Sequence, residues 1–340
     1  MTARIARCMT YLLAVTLFAS VVEGQAQSKK PQPVIDVHVH ALNVADFGPG
    51  PAACSDNRGI QWNGWDQRKP FDLSGAAICR GASWPAPKDD ATLLRETLAA
   101  FTRYNIVSAV TAGPGENVEK WRAAAPSRII PAASFFAGGY DSAGRPKMRD
   151  IAELRQLVKE RRIAVFAEIS QQYRGMLPGD PLLEPYFALA EELDIPVGIH
   201  MGEGPPGGAN VEGYGRYRVA LGNPLLLEEV LVRHPKMRVY VMHFGSPFVD
   251  DMIALMFSYP QVYVDVSQNN WGFPREHFHS QLKRLVDAGF SRRIMFGSDQ
   301  MIWPQTIGLA IKTIDEAPFL TEQQKRDIFY NNAARFLRLK

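Results

Sequence analysis

The sequence predicts an α/β fold, a (β/α)₈ barrel with a long insertion after its first strand. Short apolar, β-branched runs recur along the chain, and amphipathic segments separate most of them. Of the 340 residues, about 270 remain once an N-terminal leader and the insertion are set aside, close to the roughly 250 residues typical of such a barrel. Alternating strands and helices indicate parallel βαβ units, and a closed barrel is their simplest arrangement at this length.

The elements can be placed along the chain from the hydrophobic pattern. Eight strands are predicted over 34–39, 106–110, 129–136, 163–169, 195–200, 239–243, 262–266 and 294–296. The clearest helices are predicted over 91–104, 148–161, 181–193 and 225–233. A doubly wound open sheet is the alternative, but no G-x-G-x-x-G sequence follows the first strand. No internal repeat or linker divides the body, so 27–340 is predicted to be one domain.

The N-terminus has the layout of a secretory signal peptide. Arg4 and Arg7 precede an apolar run over 8–22, and Gly24 and Ala26 put small residues around a cleavage site. The run is short for a bilayer span, which needs about 20 residues. We therefore expect residues 1–26 to be removed and the mature protein to be periplasmic or secreted, without a stable membrane span. An uncleaved anchor or a buried first helix is the alternative.

Composition and charge narrow the class of protein. Hydrophobic residues make up 46% of the chain, which excludes a disordered or fibrous protein. Lys and Arg number 38 against 35 Asp and Glu, so the net charge of +3 indicates no nucleic-acid partner. A small-molecule substrate is the expected partner, and the oligomeric state is left open.

Two cysteines fall in the predicted insertion. Of the three cysteines, Cys8 would leave with the signal peptide, and Cys54 and Cys79 would remain in an oxidising compartment. They are predicted to form a disulfide worth roughly 3 kcal/mol, with two free thiols as the alternative. The insertion over 42–90 is rich in Pro, Gly and Trp, and it is expected to form a lid-like loop.

Histidines and carboxylates collect at the predicted strand ends. His38 and His40 end the first strand, and residues two apart in a strand point to the same side. Four more side chains of this kind follow the fourth, fifth, sixth and eighth strands: Glu168, His200, His243 and Asp299. Because the carboxyl ends of barrel strands meet on one face, these six side chains are expected to meet in one site.

These motifs resemble the metal-dependent amidohydrolase superfamily, and within it the amidohydrolase-related group called amidohydrolase 2. The resemblance rests on four strand ends in the right order: His38-x-His40, Gly198-Ile199-His200, Val241-Met242-His243 and Gly297-Ser298-Asp299. The tail over 331–337 is similar to the last helix of that group, and the resemblance extends over about 34–339. A metal-dependent hydrolase on a barrel is what this resemblance implies.

The resemblance implies a ligand set and catalytic roles. His38, His40, His200 and Asp299 would hold one divalent metal ion, most often zinc, which lowers the pKa of bound water toward about 7. Asp299 would take the proton of that water. His243 would either polarise the substrate oxygen or join a second ion.

Glu168 decides the number of ions. A carboxylate at this position could bridge two ions, with His200 and His243 holding the second. Many relatives carry a modified lysine here, so glutamate departs from that pattern and leaves one or two ions open. A plain salt-bridge role for Glu168 is the alternative.

The positions of other side chains along the sequence predict further roles. Tyr214 and Arg216 follow a glycine-rich loop and are predicted to bind substrate, with Arg216 taking an anionic group; solvated surface is the alternative for both. Trp271 follows the seventh strand and is assigned to the same rim. Trp62, Trp65 and Trp84 could cover the metal as an apolar lid, or they could only pack the insertion onto the barrel. His277 and His279 are expected at a helix start away from the site, and His234 at a helix C-terminus, where it would interact with the helix dipole.

The predicted function is hydrolysis of a carbonyl compound, an amide, ester or lactone, by metal-bound hydroxide. A non-oxidative decarboxylase is the first alternative, because relatives use nearly the same ligands to remove carboxylate from an aromatic acid. A periplasmic binding protein without catalysis is the second. The sequence leaves the substrate and the native metal open.

Overall fold

A computed structural model describes residues 32–48, 50–60, 65–71, 78–211 and 213–339. The predicted signal peptide and its cleavage site lie outside the described residues. Within them, no helix is both long enough and apolar enough to cross a bilayer.

Eight parallel strands form the barrel, as predicted. In spatial order they are β1 (Val34–His40), β4 (Ile106–Ala112), β5 (Ile129–Ala133), β8 (Val165–Ile169), β9 (Val197–His200), β10 (Val239–Met242), β11 (Val262–Asp265) and β12 (Ile294–Met295). The first and last strands meet through backbone hydrogen bonds. The amide of Val37 donates to the carbonyl of Phe296 (3.0 Å), and the amide of Asp299 donates to the carbonyl of His38 (2.8 Å). The sheet is therefore almost closed, and its carboxyl ends converge on one face.

Helices cover the outside of the sheet. They are α1 (Asp90–Arg103), α2 (Gly115–Ala124), α3 (Ile151–Lys159), α4 (Glu184–Glu192), α5 (Glu228–Arg233), α6 (Val249–Ser258), α7 (Asn269–Gly272), α8 (Arg275–Asp287), α9 (Gln305–Asp315), α10 (Glu322–Arg326) and α11 (Asn332–Leu337). The four predicted helices correspond to α1, α3, α4 and α5. Asp89 caps α1 by accepting the amide of Thr92 (2.7 Å), and Asp150 caps α3 by accepting the amide of Glu153 (2.8 Å).

Two antiparallel hairpins stand outside the barrel. The insertion after β1 contains β2 (Ala52–Cys54) and β3 (Ser83–Pro85), and a second hairpin is formed by β6 (Phe136–Tyr140) and β7 (Pro146–Met148). Cys54 and Cys79 form the predicted disulfide, with their Cα atoms 5.3 Å apart. The disulfide ties the end of β2 to the far side of the insertion.

The alternation along β1 positions the site. Every residue of this strand is buried. Ile35 and Val37 pack into an apolar cluster with Tyr240 and Phe336. Asp36 and His38, which alternate with them along the chain, therefore belong to the other side of the strand. One strand therefore contributes both to the core and to the polar face.

Candidate metal centre

The two histidines of β1 form the first part of the site. The Nε2 atoms of His38 and His40 lie 3.1 Å apart, and both side chains are nearly inaccessible to solvent. Asp299 closes this group, because its Oδ1 lies 3.0 Å from Nε2 of His40 and 3.6 Å from Nε2 of His38. The structure thus brings side chains from opposite ends of the chain within ligand distance of a common point.

Glu168 lies between two pairs of histidines. Its Oε2 is 3.6 Å from Nε2 of His38 and 3.5 Å from Nε2 of His40. Its Oε1 contacts Nδ1 of His200 and lies 3.7 Å from Nε2 of His243. Each carboxylate oxygen therefore faces a different pair of imidazoles, which is the arrangement a bridging ligand would need.

His200 and His243 form the second pair. Nε2 of His243 lies 3.0 Å from Nδ1 of His200, and the other ring nitrogen of His200 lies 2.9 Å from the hydroxyl of Tyr173. The backbone helps to direct these groups, because His243 and Asp299 have positive φ angles of 58° and 48°. Such left-handed conformations in residues other than glycine tend to occur at functional sites.

Asp265 and Ser267 support the histidines from behind, and the sequence analysis missed both. Oδ2 of Asp265 lies 3.1 Å from Nδ1 of His38, and the hydroxyl of Ser267 lies 2.8 Å from the same atom. Oδ1 of Asp265 accepts hydrogen bonds from the amide of His243 (2.9 Å) and from the hydroxyl of Ser267 (2.6 Å). Asp265 ends β11, so the criterion that selected Glu168, a carboxylate at a strand end, could have found it.

Burial and charge oppose each other in the carboxylates of the cluster. Burial raises the pKa of Asp299, but the charge of His38 and a hydrogen bond with His40 outweigh it and bring the pKa to about 2. Burial also raises the pKa of Glu168 and of Asp265, and their histidine partners hold both below the ordinary range, well below it for Glu168. Three ionised carboxylates are therefore enclosed together.

The imidazoles respond to the same charges. Burial lowers the pKa of His38, but Asp299 and Asp265 raise it well above its ordinary value. For His200, burial prevails over Glu168 and the pKa is lowered. Buried negative charge is costly unless positive charge compensates it, either on protonated imidazoles or on a bound cation.

The donor set fits a divalent cation. Three groups of side chains each have their ligand atoms within 4.8 Å of one another. The groups are His38, His40 and Glu168; His38, His243 and Asp299; and Glu168, His200 and His243. Imidazole nitrogens and carboxylate oxygens are the ligands that zinc and related divalent ions take in proteins. Because two of these groups share Glu168, the arrangement can accommodate one ion or two.

The residues predicted to bind substrate lie in different places. Tyr214 stacks on Tyr173, with ring centroids 4.8 Å apart, and so approaches His200 indirectly. Trp271 is buried and donates its indole N–H to the carbonyl of Ser298 (2.6 Å). The guanidinium of Arg216 instead donates to the carbonyl of Gly144 (2.6 Å) in the loop of the β6–β7 hairpin, so its role in binding an anionic group stays a prediction.

The predicted tryptophan lid is not a single structure. Trp62 lies outside the described residues. Trp65 packs edge-on against Phe71, with centroids 5.2 Å apart. Trp84 instead lines a separate groove beside α1 and α9.

The remaining histidines lie elsewhere, as expected. His279 donates to the carbonyl of Thr313 (2.8 Å), and His277 contacts the side chain of Gln281. His234 does follow the last residue of α5. Its ring nitrogens also lie 2.9 Å and 3.4 Å from carboxylate oxygens of Glu184 and Glu191 on α4, so His234 links the end of α5 to α4, and its interaction with the helix dipole stays a prediction.

Glu203 is a further residue that the sequence analysis did not single out. It borders a small cavity of about 100 Å³ together with His200, His243 and Asp299. Its Oε2 is buried without a hydrogen-bond partner among the described residues. Burial raises the pKa of Glu203 to about 7.

A nearly closed parallel barrel with histidines and carboxylates gathered at its carboxyl end is typical of metal-dependent barrel enzymes. The sequence profile described as Amidohydrolase matches residues 35–339, and the chain therefore belongs to the amidohydrolase family. Among curated proteins, none matches the chain.

Solved structures share the fold at low sequence identity. A probable 2-pyrone-4,6-dicarboxylic acid hydrolase from Acinetobacter baumannii, with citric acid bound, has a TM-score of 0.55 at 13% identity, covering 91% of this chain and 100% of its own. An uncharacterised TIM-barrel protein from Bordetella bronchiseptica has a TM-score of 0.54 at 18% identity, covering 71% and 81%. A 5-carboxyvanillate decarboxylase from Novosphingobium aromaticivorans, with bound manganese, has a TM-score of 0.50 at 14% identity, covering 71% and 80%. At these identities the similarity establishes the fold and leaves the reaction open.

Proposed function

We propose that this protein is a metal-dependent hydrolase that directs an activated water onto the carbonyl of an amide, ester or lactone. The observation that carries the proposal is the convergence of four imidazoles on Glu168 and Asp299 at the carboxyl end of the barrel. His38, His40, Glu168, His200, His243 and Asp299 would hold one or two divalent ions, with zinc the expected metal. A cation held there supplies a Lewis acid that makes water more acidic and polarises a carbonyl.

The protein's own groups account for the movement of protons. Asp299 borders the small cavity, where its carboxylate would accept a proton from water. His243, directly after β10, borders the same cavity and would either polarise the substrate oxygen or join a second ion. Asp265 and Ser267 orient His38 and His243 and would act only through them.

The test separates hydrolysis from decarboxylation. Protein stripped of metal and reloaded with zinc or manganese would be assayed in H₂¹⁸O on aryl esters, lactones and N-acyl amino acids, and in parallel on aromatic acids. Incorporation of ¹⁸O into the acid product supports the proposal. Release of CO₂ from an aromatic acid without incorporation would favour a decarboxylase, and the absence of turnover on every substrate class would favour a binding protein.

Variants connect the activity to the site. Asp299→Asn keeps the shape of the side chain but removes the proton acceptor, and is expected to lower kcat by about 10²-fold or more. Asp287→Asn, at an exposed pair with Lys283 on α8, is the matched control and should leave kcat unchanged.

We further propose that the protein is exported. The Cys54–Cys79 disulfide supports this, because disulfides persist in oxidising compartments. Fractionation of cells expressing the full chain, with mass spectrometry of the mature N-terminus, tests the predicted cleavage after Ala26. A mature protein that retains residues 1–26 in the cytoplasm would contradict it.

A further inference from the structure

A second and larger cavity adjoins the ligand cluster. Its volume is about 470 Å³, against about 100 Å³ for the cavity bordered by His200, His243 and Asp299. The two share four wall residues: Pro205, Pro206, Gln268 and Met301. A molecule whose reacting carbonyl lies in the small cavity can therefore extend into the large one, which we call the apolar chamber.

The walls of the apolar chamber come from distant parts of the chain. The insertion after β1 provides one side, and the loops after β9, β11 and β12 provide the others. The large side chains among them are Phe47, Ile60, Phe71, Ile78, Trp271 and Trp303. Among the described residues that line the chamber, none is an Asp, Glu, Lys, Arg or His. A charged group entering it would lose its hydration without gaining a counter-ion, at considerable cost.

Several bonds hold the insertion in place over the barrel. The disulfide joins Cys54, which lines the chamber, to Cys79. The side chain of Asn57 donates to the carbonyl of Asn270 (3.0 Å), and the carbonyl of Asn57 accepts from the amide of Arg275 (3.1 Å). The chamber is thus formed before a ligand arrives, which reduces the entropic cost of binding.

Arg216, the side chain predicted to bind an anionic substrate group, does not line either cavity. The guanidinium of Arg216 lies over the ring of Tyr140, 5.0 Å from its centroid, and donates to Gly144. Among the described residues, no Lys or Arg borders either cavity. The part of the substrate farther from the metal centre therefore has an uncharged wall to meet.

We propose that the apolar chamber binds an uncharged, ring-bearing apolar group attached to the scissile carbonyl, on either its acyl or its alcohol side. That the bound group is attached to a carbonyl that is cleaved rests on the proposed function. Binding of the group in the chamber does not require turnover. Cavities of 300–1,000 Å³ with mostly apolar walls are the usual sites for small molecules. Burying a ring in such a pocket is expected to raise kcat/KM at least tenfold, and up to about a hundredfold, over a substrate without it.

Binding is tested with a neutral apolar dye. N-phenyl-1-naphthylamine should bind wild-type protein saturably at about one molecule per chain, with enhanced fluorescence, and zinc removal should change its Kd by less than twofold. Ala53→Phe places a ring where a buried alanine of β2 lines the chamber, and it should weaken binding at least tenfold. Phe71→Ala removes a half-buried wall residue and provides a second variant of lower folding risk, also with weaker binding expected. Ala91→Leu, at an exposed position of α1, is the matched control and should bind as wild type does.

Several outcomes would overturn the proposal. These are absence of saturable binding to the wild type, equal binding by wild type, Ala53→Phe and Phe71→Ala, and binding that depends on zinc.

Turnover provides the second arm. Ethyl acetate, ethyl phenylacetate and benzyl acetate differ in whether and where they carry a ring. At least one of the two ring-bearing esters should exceed ethyl acetate tenfold in kcat/KM, and Ala53→Phe should bring that ratio close to one. Equal values for all three esters would overturn the chamber's role in specificity while leaving the hydrolase proposal intact. Failure of the metal-loaded enzyme on all three would count against the hydrolase proposal, and the dye titration would still decide whether the chamber binds a ring.

Discussion

Replacing Asp265 with asparagine should weaken metal binding, although it leaves every proposed metal ligand unchanged. The effect would act on His38, which Asp265 contacts. Oδ1 of Asp265 already accepts from three donors, the amides of His243 and Ser267 and the hydroxyl of Ser267, at 2.9, 3.0 and 2.6 Å. In Asp265→Asn the amide oxygen must keep that position to satisfy them. The new NH₂ group would then take the place of Oδ2, 3.1 Å from Nδ1 of His38.

The consequence is a change of tautomer. A donor facing Nδ1 favours the proton on Nε2, and Nε2 is the atom of His38 that faces His40 and Asp299. A ligand nitrogen cannot bind a cation while it carries a proton. Loss of a carboxylate behind a ligating histidine usually lowers metal affinity 10- to 100-fold, or by about 1.4 to 2.7 kcal/mol. Because Asp265→Asn also favours the wrong tautomer of His38, we expect a loss of affinity near 100-fold.

The affinity can be measured by competition for zinc with a chromophoric chelator at pH 7.5. Circular dichroism of Asp265→Asn would show that the barrel is retained, and Asp287→Asn on the exposed face of α8 serves as the control for loss of a carboxylate. A zinc affinity of Asp265→Asn within twofold of the wild type would refute the argument that this carboxylate orients His38.

Three further predictions follow from the site and the insertion. Burial raises the pKa of Glu203 to about 7, so the folded chain holds this proton more tightly than the unfolded chain, and its contribution to stability declines as pH rises from about 4.5 to 7. Glu203→Gln lacks this titration, so its stability relative to the wild type should increase from pH 5 to pH 8, by about 3 kcal/mol at most, in urea denaturation of metal-free protein. A stability difference between the two proteins that is the same at pH 5 and at pH 8 would contradict this. Tyr173→Phe removes the hydroxyl 2.9 Å from Nε2 of His200 and should weaken metal binding about tenfold, whereas an unchanged isotherm would exclude an orienting role. The double replacement of Cys54 and Cys79 by serine, which opens a loop with a sequence separation of 25, should lower the free energy of unfolding by about 3.5 kcal/mol, and a loss under 1 kcal/mol would show that the insertion is held mainly by its other contacts.

The barrel and its ligand cluster were predictable because both depend on local pattern. The alternation of apolar runs and amphipathic segments identifies the strands, and a strand end is a place that sequence can locate. His38 and Asp299 lie 261 positions apart, yet His38 lies near the carboxyl end of β1 and Asp299 lies shortly after β12. Their meeting follows from the geometry of a parallel barrel.

The contacts around that cluster were not predictable in the same way. Ser267 is a common residue in an unremarkable position, and its role depends on the hydroxyl lying between His38 and His243. Arg216 follows the predicted substrate loop, but its guanidinium reaches the hairpin of β6 and β7. A long side chain can point in many directions, and packing of the neighbouring loop selects one.

The sequence by itself determined the fold class, the polar face of the barrel and the candidate ligands, because strand periodicity and parallel connection leave little freedom in where strand ends lie. Only the tertiary structure decided that each oxygen of Glu168 faces a different histidine pair, that Asp265 supports His38, and that an uncharged chamber opens beside them. Those features depend on distances between loops that are remote in the chain, and such distances are set by the packing of the whole molecule.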